Sequence, residues 1–87
     1  MEHKSTLADL PVGQRARVTA LCTEGSIRRR LLDIGLIENT QVECLGRSPA
    51  GDPSAYLIRG AVIALRKEDS KTILTEQEVR EWDEMIN

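Results

Sequence analysis

The apolar residues of this chain alternate with polar ones in short runs, and glycine, proline and asparagine separate the runs. Such alternation is typical of strands that bury one face. The pattern predicts strands at 15–22, 40–45, 54–59, 61–66 and 71–74. Gly60 lies between two of these runs and predicts a tight hairpin, and the turn-forming residues of 46–53 predict a surface loop. About five short strands favour a mostly β fold in which the sheet closes into a small barrel.

One segment between the first two predicted strands changes from a two-residue period to a helical period. Ile27, Leu31 and Ile34 recur at i, i+4 and i+7, and Gly35 follows at a position where helices commonly end. The spacing therefore predicts a short helix over 26–34, inserted after the first strand.

A second helical period begins near the C-terminus. Thr75 and Glu78 have the spacing of a capping box, in which each side chain bonds the backbone amide of the other residue. Val79 and Trp82 then begin an apolar stripe, and glutamates occupy the other faces. We expect an amphipathic acidic helix over 76–87. Its apolar stripe either covers one end of the barrel or contacts a second copy of the chain or a partner, so the sequence leaves a homo-oligomer open.

The length of the chain, 87 residues, gives room for one domain only. We divide it into a flexible N-terminus (1–6), the barrel (7–75) and the C-terminal helix (76–87). No apolar run approaches the roughly 18 residues of a membrane span, and no apolar segment of a secretion signal follows the first residues. We therefore expect a cytoplasmic protein without direct membrane insertion.

The two cysteines, Cys22 and Cys44, fall at inward positions of two predicted strands, where free cysteine usually packs in the core. Their spacing matches no metal-binding motif, and the one histidine, His3, stands alone near the N-terminus. We expect no structural metal and no bound cofactor. No Ser/His/Asp or Cys/His set is present, so the residues also argue against an enzyme.

The charge balance is nearly neutral, with fourteen acidic and twelve basic residues. Non-specific nucleic-acid binders usually carry a clear basic excess, so we expect no nucleic-acid partner. Tyr56 and Trp82 are the only aromatic residues. Two aromatic side chains are few for the aromatic-lined groove that binds proline-rich peptides. The residues themselves therefore predict a small binding protein.

Four motifs resemble the FeoA family in their order and approximate spacing. They are Leu7-x-x-Leu10-Pro11-x-Gly13, Arg28-Arg29-Arg30-Leu31-Leu32-Asp33-Ile34-Gly35-Leu36, Gly51-Asp52-Pro53 and Ile63-Ala64-Leu65-Arg66. The chain departs from the family in two places. It has Glu38-Asn39-Thr40 where the family often has Pro-Gly-Thr, and its acidic C-terminal segment lies outside the usual pattern.

The resemblance implies an SH3-like barrel related to the C-terminal domain of DtxR-type metal-dependent repressors. It also implies an accessory protein of bacterial ferrous iron uptake. The implied partner is FeoB, a membrane protein that carries a cytoplasmic GTPase domain and the path for ferrous iron. An alternative is an SH3-like adaptor, or a domain of transcriptional-regulator type, that binds peptide segments.

The helix motif contains the residues that we expect to bind FeoB, which are Arg28, Arg29, Leu32 and Leu36. Consecutive arginines fan across the exposed side of a helix because successive residues are about 100° apart. Leu32 and Leu36 lie off the apolar stripe of the helix, and apolar residues beside arginine are typical of binding hot spots.

Simpler interpretations of the same helix remain open. The arginines can form an ordinary solvated face, in which Asp33 pairs with Arg29 or Arg30. Leu32 can belong to a wide apolar stripe that packs against the barrel.

Overall fold

One antiparallel sheet forms most of the structure, a computed structural model that describes residues 5–77. Its strands are β1 (Ser5–Thr6), β2 (Arg15–Leu21), β3 (Gln41–Arg47), β4 (Ser54–Ile58), β5 (Ala61–Leu65) and β6 (Ile73–Gln77). The strand order in the sheet is β1-β6-β2-β3-β4-β5. Helix α1 (Gly25–Asp33) connects β2 to β3, the single helical turn α2 (Lys67–Ser70) connects β5 to β6, and a 3-10 turn (Leu7–Asp9) follows β1. The predicted mostly β fold with an inserted helix is confirmed.

The core lies inside the curved sheet and consists of the inward side chains of the strands together with residues from α1 and the lead-in. Its buried members are Leu7, Leu10, Ala16, Val18, Leu31, Leu36, Val42, Cys44, Tyr56, Ile58, Ile63, Leu65 and Ile73. The predicted alternation places β3 correctly, since Val42 and Cys44 are both fully buried. The register sets Tyr56 opposite Cys44, so neighbouring strands fill the same layer of the core.

Side-chain hydrogen bonds tie the lead-in segment to the middle of the sheet. The buried Tyr56 hydroxyl donates to the Leu7 carbonyl at 3.3 Å. The Arg47 guanidinium donates to the Leu10 carbonyl and to the Ser54 hydroxyl, both at 2.8 Å. Because the lead-in follows β1 at one end of the strand order, these bonds fold that end of the sheet over β3 and β4.

The alternation of β2 breaks at a bulge, and the predicted burial of Cys22 is wrong. Ala16 and Val18 are buried, but the pairing of β2 with β6 shifts register between Val18 and Ala20. A bulge adds one residue to a strand and reverses which later side chains face inward. Leu21 accordingly packs against the core, whereas Cys22 is exposed.

The hairpin between β4 and β5 has the predicted tight turn. Ile58 pairs with Ala61, and the two residues between them have positive φ angles, 49° at Arg59 and 84° at Gly60. Two positive φ angles define a type I′ turn, whose twist matches that of the paired strands.

The ends of the barrel differ from the predicted boundaries. Ser5 and Thr6, expected in a flexible terminus, pair with Thr75 and Leu74 as β1. Thr75 is buried within β6 opposite Val18, so the prediction that it caps a helix is wrong. Sheet pairing overrides the local capping signature there. The remainder of the predicted C-terminal helix, 78–87, lies outside the described residues.

The remaining connections follow the sequence pattern closely. The predicted loop at 46–53 begins only after Arg47, because β3 extends through that residue. The polar segment expected to turn at 67–70 forms α2, and the strand expected at 71–74 is β6. No helix within residues 5–77 is long and apolar enough to cross a membrane.

Candidate partner-binding surface

Helix α1 presents one side to the core and the opposite side to solvent. Leu31 is fully buried, and Ile27 and Ile34 pack half-buried against the core. The predicted stripe is therefore the buried side, and Arg29 and Arg30 lie on the exposed side.

Arg28 has a structural contact that the sequence does not reveal. Its guanidinium donates to the Leu21 carbonyl at 2.9 Å and to the Thr23 carbonyl at 3.3 Å. These bonds fasten the start of α1 to the end of β2. Arg28 thereby orients the helix, and its guanidinium is less available to a partner than those of Arg29 and Arg30.

Leu36 is fully buried, so the prediction that its side chain faces a partner is wrong. The Leu36 amide donates to the Leu31 carbonyl at 2.9 Å, and the Gly35 amide donates to the Leu32 carbonyl at 3.0 Å. With Gly35 at φ 93°, this is a Schellman motif, which turns the chain back across the helix end. Such a motif brings the residue after the glycine against the last turn of the helix, here the buried Leu31.

Leu32 and Ile37 are the apolar side chains that this part of the fold leaves in solvent. Leu32 is 41% exposed, so it does not pack fully against the barrel as the simpler interpretation of the sequence proposed. Ile37 is 57% exposed and was not predicted as a site residue. The Schellman motif directs Leu36 inward, and the next residue in the turn faces outward. A helix end at Gly35 is therefore the sequence signal that would identify Ile37 as an exposed residue of this surface.

Thr40 fixes the turn that carries Ile37. The Thr40 hydroxyl accepts a hydrogen bond from the Ile37 amide at 3.0 Å and donates to the Gly35 carbonyl at 3.2 Å. The backbone N–H of Asn39 donates to the Val18 carbonyl at 2.7 Å, and Asn39 has a φ angle of 76°. Asparagine tolerates this left-handed conformation, which explains how the chain departs from the Pro-Gly-Thr pattern without losing the turn.

Arg59 lies directly against the end of α1. A Cβ atom at Gly35 would stand 2.6 Å from the Arg59 Cδ atom, so the absence of a side chain at Gly35 makes room for the arginine. The contact joins the β4–β5 hairpin to the helix. We call the combined patch of Arg29, Arg30, Leu32, Ile37 and Arg59 the α1 surface.

The arginines of the α1 surface have no acidic partners among residues 5–77. The ion pairs in this part of the chain join Arg15 to Glu43 at 3.3 Å and Arg66 to Glu68 at 4.0 Å. Asp33 makes no ion pair with Arg29 or Arg30, so the pairing that the simpler interpretation of the helix included is absent. Among residues 5–77, the α1 surface therefore combines exposed apolar side chains with arginines that form no ion pair.

The donor set for a metal ion is sparse in the described part of the chain. Within residues 5–77, no group of three or more His, Cys, Asp or Glu side chains is placed to hold a metal ion. Cys22 and Cys44 are both free thiols. His3 lies outside the described residues.

The six-stranded sheet, its order and the helical turn before β6 define the class of protein as an SH3-like barrel. A manganese-dependent transcriptional repressor superimposes with a TM-score of 0.76 at 16% identity, covering 90% of this chain and 38% of the repressor chain. At that identity the likeness shows the fold alone.

The model of the FeoA domain matches residues 5–77, and the chain therefore belongs to the FeoA family, a family of small accessory domains. The FeoA protein from Chlorobium tepidum is 31% identical with a TM-score of 0.80, over 85% of this chain and 70% of its own. The FeoA-like protein from Clostridium acetobutylicum is 30% identical with a TM-score of 0.78, over 92% and 93% of the two chains.

A third similar structure is that of Stenotrophomonas maltophilia FeoA complexed with zinc. It is 25% identical with a TM-score of 0.72, over 82% of this chain and 88% of that one. It is described as a prokaryotic SH3 domain protein and as a candidate activating factor of bacterial ferrous iron transport. A comparison with curated proteins gave no match.

Proposed function

We propose that this protein is a cytoplasmic, non-catalytic accessory factor of bacterial ferrous iron uptake that binds the GTPase domain of FeoB. Membership of the FeoA family supports the iron-uptake context. The observation that carries the proposal is the α1 surface, where exposed apolar side chains stand beside arginines that form no ion pair within residues 5–77.

The chemistry of the α1 surface suits a protein partner with an acidic rim around an apolar pocket. Leu32 and Ile37 supply apolar area that a partner can remove from water. Arg29 and Arg30 supply guanidinium groups that bind carboxylates in two-point geometry. Apolar anchors and arginine together are the residue types that dominate binding energy in interfaces.

The turn that carries Ile37 is held in place before any partner arrives. Thr40 bonds both sides of this turn, and Arg28 fastens the start of α1 to β2. A surface that is ordered in advance loses less conformational entropy on binding. Gly35, Leu36 and Thr40 thus support the proposed contact through the backbone that carries Leu32 and Ile37.

Replacing Arg29 with glutamate is expected to weaken binding of the full chain to the FeoB GTPase domain by about tenfold, because a favourable contact becomes a repulsive one. The dissociation constant is measured by isothermal titration calorimetry, with and without a GTP analogue. Circular dichroism should show an unchanged fold, since the Arg29 side chain is exposed.

The matched control for this variant is Arg66→Glu. The Arg66 side chain is 73% exposed and lies at the other end of the β4–β5 hairpin from Arg59. The charge change is the same, so a loss of affinity from net charge alone would affect both variants equally. Equal dissociation constants for Arg29→Glu and the unmodified chain would count against the α1 surface as the interface.

The peptide-binding alternative has less support from the described residues. Grooves that bind proline-rich peptides are lined by aromatic side chains. Within residues 5–77 the one aromatic residue, Tyr56, is buried in the core with its hydroxyl bonded to Leu7. This observation favours a folded partner over a proline-rich segment.

A further inference from the structure

Strand β5 is the last strand of the described sheet, and within residues 5–77 only β4 pairs with it. The strand at the other end of the order, β1, has two residues, whereas β5 has five. The sequence of β5 is Ala-Val-Ile-Ala-Leu, without a charged residue or proline. Natural sheets usually protect a long edge with such residues or with a bulge, and the register of β4 with β5 contains no bulge.

The hairpin turn determines which backbone groups of β5 face the open side. In a hairpin with a two-residue turn, the pair next to the turn is hydrogen-bonded, and bonded and unbonded pairs then alternate. Ile58 and Ala61 form the first pair. It follows that Val62 and Ala64 lie in unbonded pairs and direct their N–H and C=O groups away from β4. No other segment of residues 5–77 bonds these groups.

The side chains at this edge are apolar as well. Val62 is 65% exposed, more than any other large apolar side chain described, and Ala64 is also exposed. Val62 stands opposite the half-buried Leu57 on the outer face of the sheet. The edge therefore offers two backbone donors, two backbone acceptors and a small apolar face.

Basic side chains flank β5 at both ends. Arg59 precedes the strand in the hairpin turn, and Arg66 and Lys67 follow it. Acidic residues also lie at this second end: Asp52 Oδ1 accepts a hydrogen bond from the Lys67 amide at 2.8 Å, and Glu68 and Asp69 follow in α2. Glu68 lies 4.0 Å from Arg66 and both side chains are at least 70% exposed, so that pair compensates little charge.

This charge pattern argues against pairing of β5 with a second copy of itself. An antiparallel pair of β5 strands centred on Ile63 would place Arg59 of one copy opposite Lys67 of the other, at both ends of the pair. Like charges directly opposite each other destabilise strand pairing. A peptide with acidic residues at both ends would meet opposite charges in the same places.

We propose that the free edge of β5 is a second binding site, which takes an extended peptide by strand addition. The peptide has apolar residues in the middle and acidic residues at both ends. Its backbone bonds the N–H and C=O groups of Val62 and Ala64, and its acidic ends face Arg59 on one side and Arg66 and Lys67 on the other. The site is separate from the apolar anchors of the α1 surface.

The test uses the full chain and the fluorescein-labelled peptide Asp-Asp-Val-Thr-Val-Thr-Val-Asp-Asp, with binding followed by fluorescence anisotropy. Ala64→Pro removes one outward N–H group and is expected to weaken binding by about tenfold. Ala64→Ser keeps that group and should bind within about twofold of the unmodified chain. Because the outward amide takes no part in the sheet, proline at this edge position should leave the hairpin intact.

A variant of the peptide keeps the test valid if Ala64→Pro does not fold. With the central valine opposite Ile63, the two threonines of the peptide face Val62 and Ala64. N-methylation of these threonines removes the peptide donors and should weaken binding to the unmodified chain by about tenfold. Replacing the four aspartates with lysine should weaken it at least as much. The two sites share Arg59, but Arg29 belongs to the α1 surface alone, so the Arg29→Glu variant should bind the peptide normally.

Amide hydrogen exchange of Val62 and Ala64 shows whether the edge of β5 is free or covered in the absence of the peptide. Fast exchange in the free chain, slowed by the peptide, supports the proposal. Slow exchange in the free chain that does not change on dilution would mean that the chain covers its own edge, and slow exchange only at high concentration would mean self-pairing. Either result, or equal peptide affinity of Ala64→Pro and Ala64→Ser, would overturn the proposal.

Discussion

Replacing Leu36 with alanine is expected to lower the free energy of unfolding by about 2–5 kcal/mol. Leu36 is fully buried next to Leu31, and the Schellman motif holds its backbone in place. The truncated side chain would leave a cavity that the surrounding barrel can only partly fill. Since small domains have a total stability of about 5–15 kcal/mol, the variant should be close to unfolding at moderate temperature.

The matched control is Leu32→Ala, a change of the same size in the same segment. Because Leu32 is 41% exposed, its truncation should cost no more than about 1 kcal/mol. Urea unfolding followed by circular dichroism measures both losses of stability. Similar losses for the two variants would contradict the distinction between a buried Leu36 and a surface Leu32.

Replacing both Leu32 and Ile37 with aspartate is expected to weaken binding to the FeoB GTPase domain by about a hundredfold. The two changes remove the apolar anchors of the α1 surface and place negative charge beside its arginines. The fold should persist, since Leu32 is 41% and Ile37 57% exposed and neither belongs to the buried core. Isothermal titration calorimetry against the GTPase domain measures the change in affinity.

A second double variant controls for the added charge and for the loss of apolar surface. Val12 and Leu45 are 52% and 40% exposed and lie outside the α1 surface. Val12→Asp combined with Leu45→Asp introduces the same two charges and should change the affinity by less than about threefold, as expected for residues outside an interface. If both double variants lost the same affinity, the α1 surface would have no special role.

The strands and the helix follow from local sequence patterns. The predictions for Cys22 and Thr75 are wrong because pairing with a distant strand determines the structure at these residues. The alternation of 40–45 gives the buried Val42 and Cys44, because a two-residue period needs no knowledge of the rest of the fold. The same reasoning fails at Cys22 because the bulge in β2 depends on how β6 pairs with it. Thr75 has a good helix-capping signature, but pairing with Val18 places it in a strand.

The composition of the α1 surface follows only in part from the sequence. Helical spacing gives Arg29 and Leu32 correctly as exposed residues of α1. It misplaces Leu36, because that residue follows the helix and the Schellman motif ends the helical geometry before it. Arg59 joins the surface only through its contact with Gly35. The two residues are distant in sequence and adjacent in the fold. A contact of this kind has no signature in a single sequence.

Fixed backbone geometry explains why small changes near the α1 surface should affect function without touching a partner. Gly35 combines φ 93° with the close approach of Arg59, so any side chain at that position would strain the backbone and displace the arginine. The hydrogen bonds of Thr40 hold the next turn. The arrangement of the exposed side chains is thus set by the half-buried Gly35 and the buried Thr40.

The most direct test of the account is an NMR titration of the isotope-labelled full chain with the FeoB GTPase domain bound to a GTP analogue. We predict that the amide signals of Arg29, Arg30, Leu32, Ile37 and Arg59 shift or broaden, while most of the barrel is unaffected. Saturable binding that leaves these signals unchanged, or the absence of binding at concentrations near a millimolar, would contradict the proposal that the α1 surface contacts FeoB.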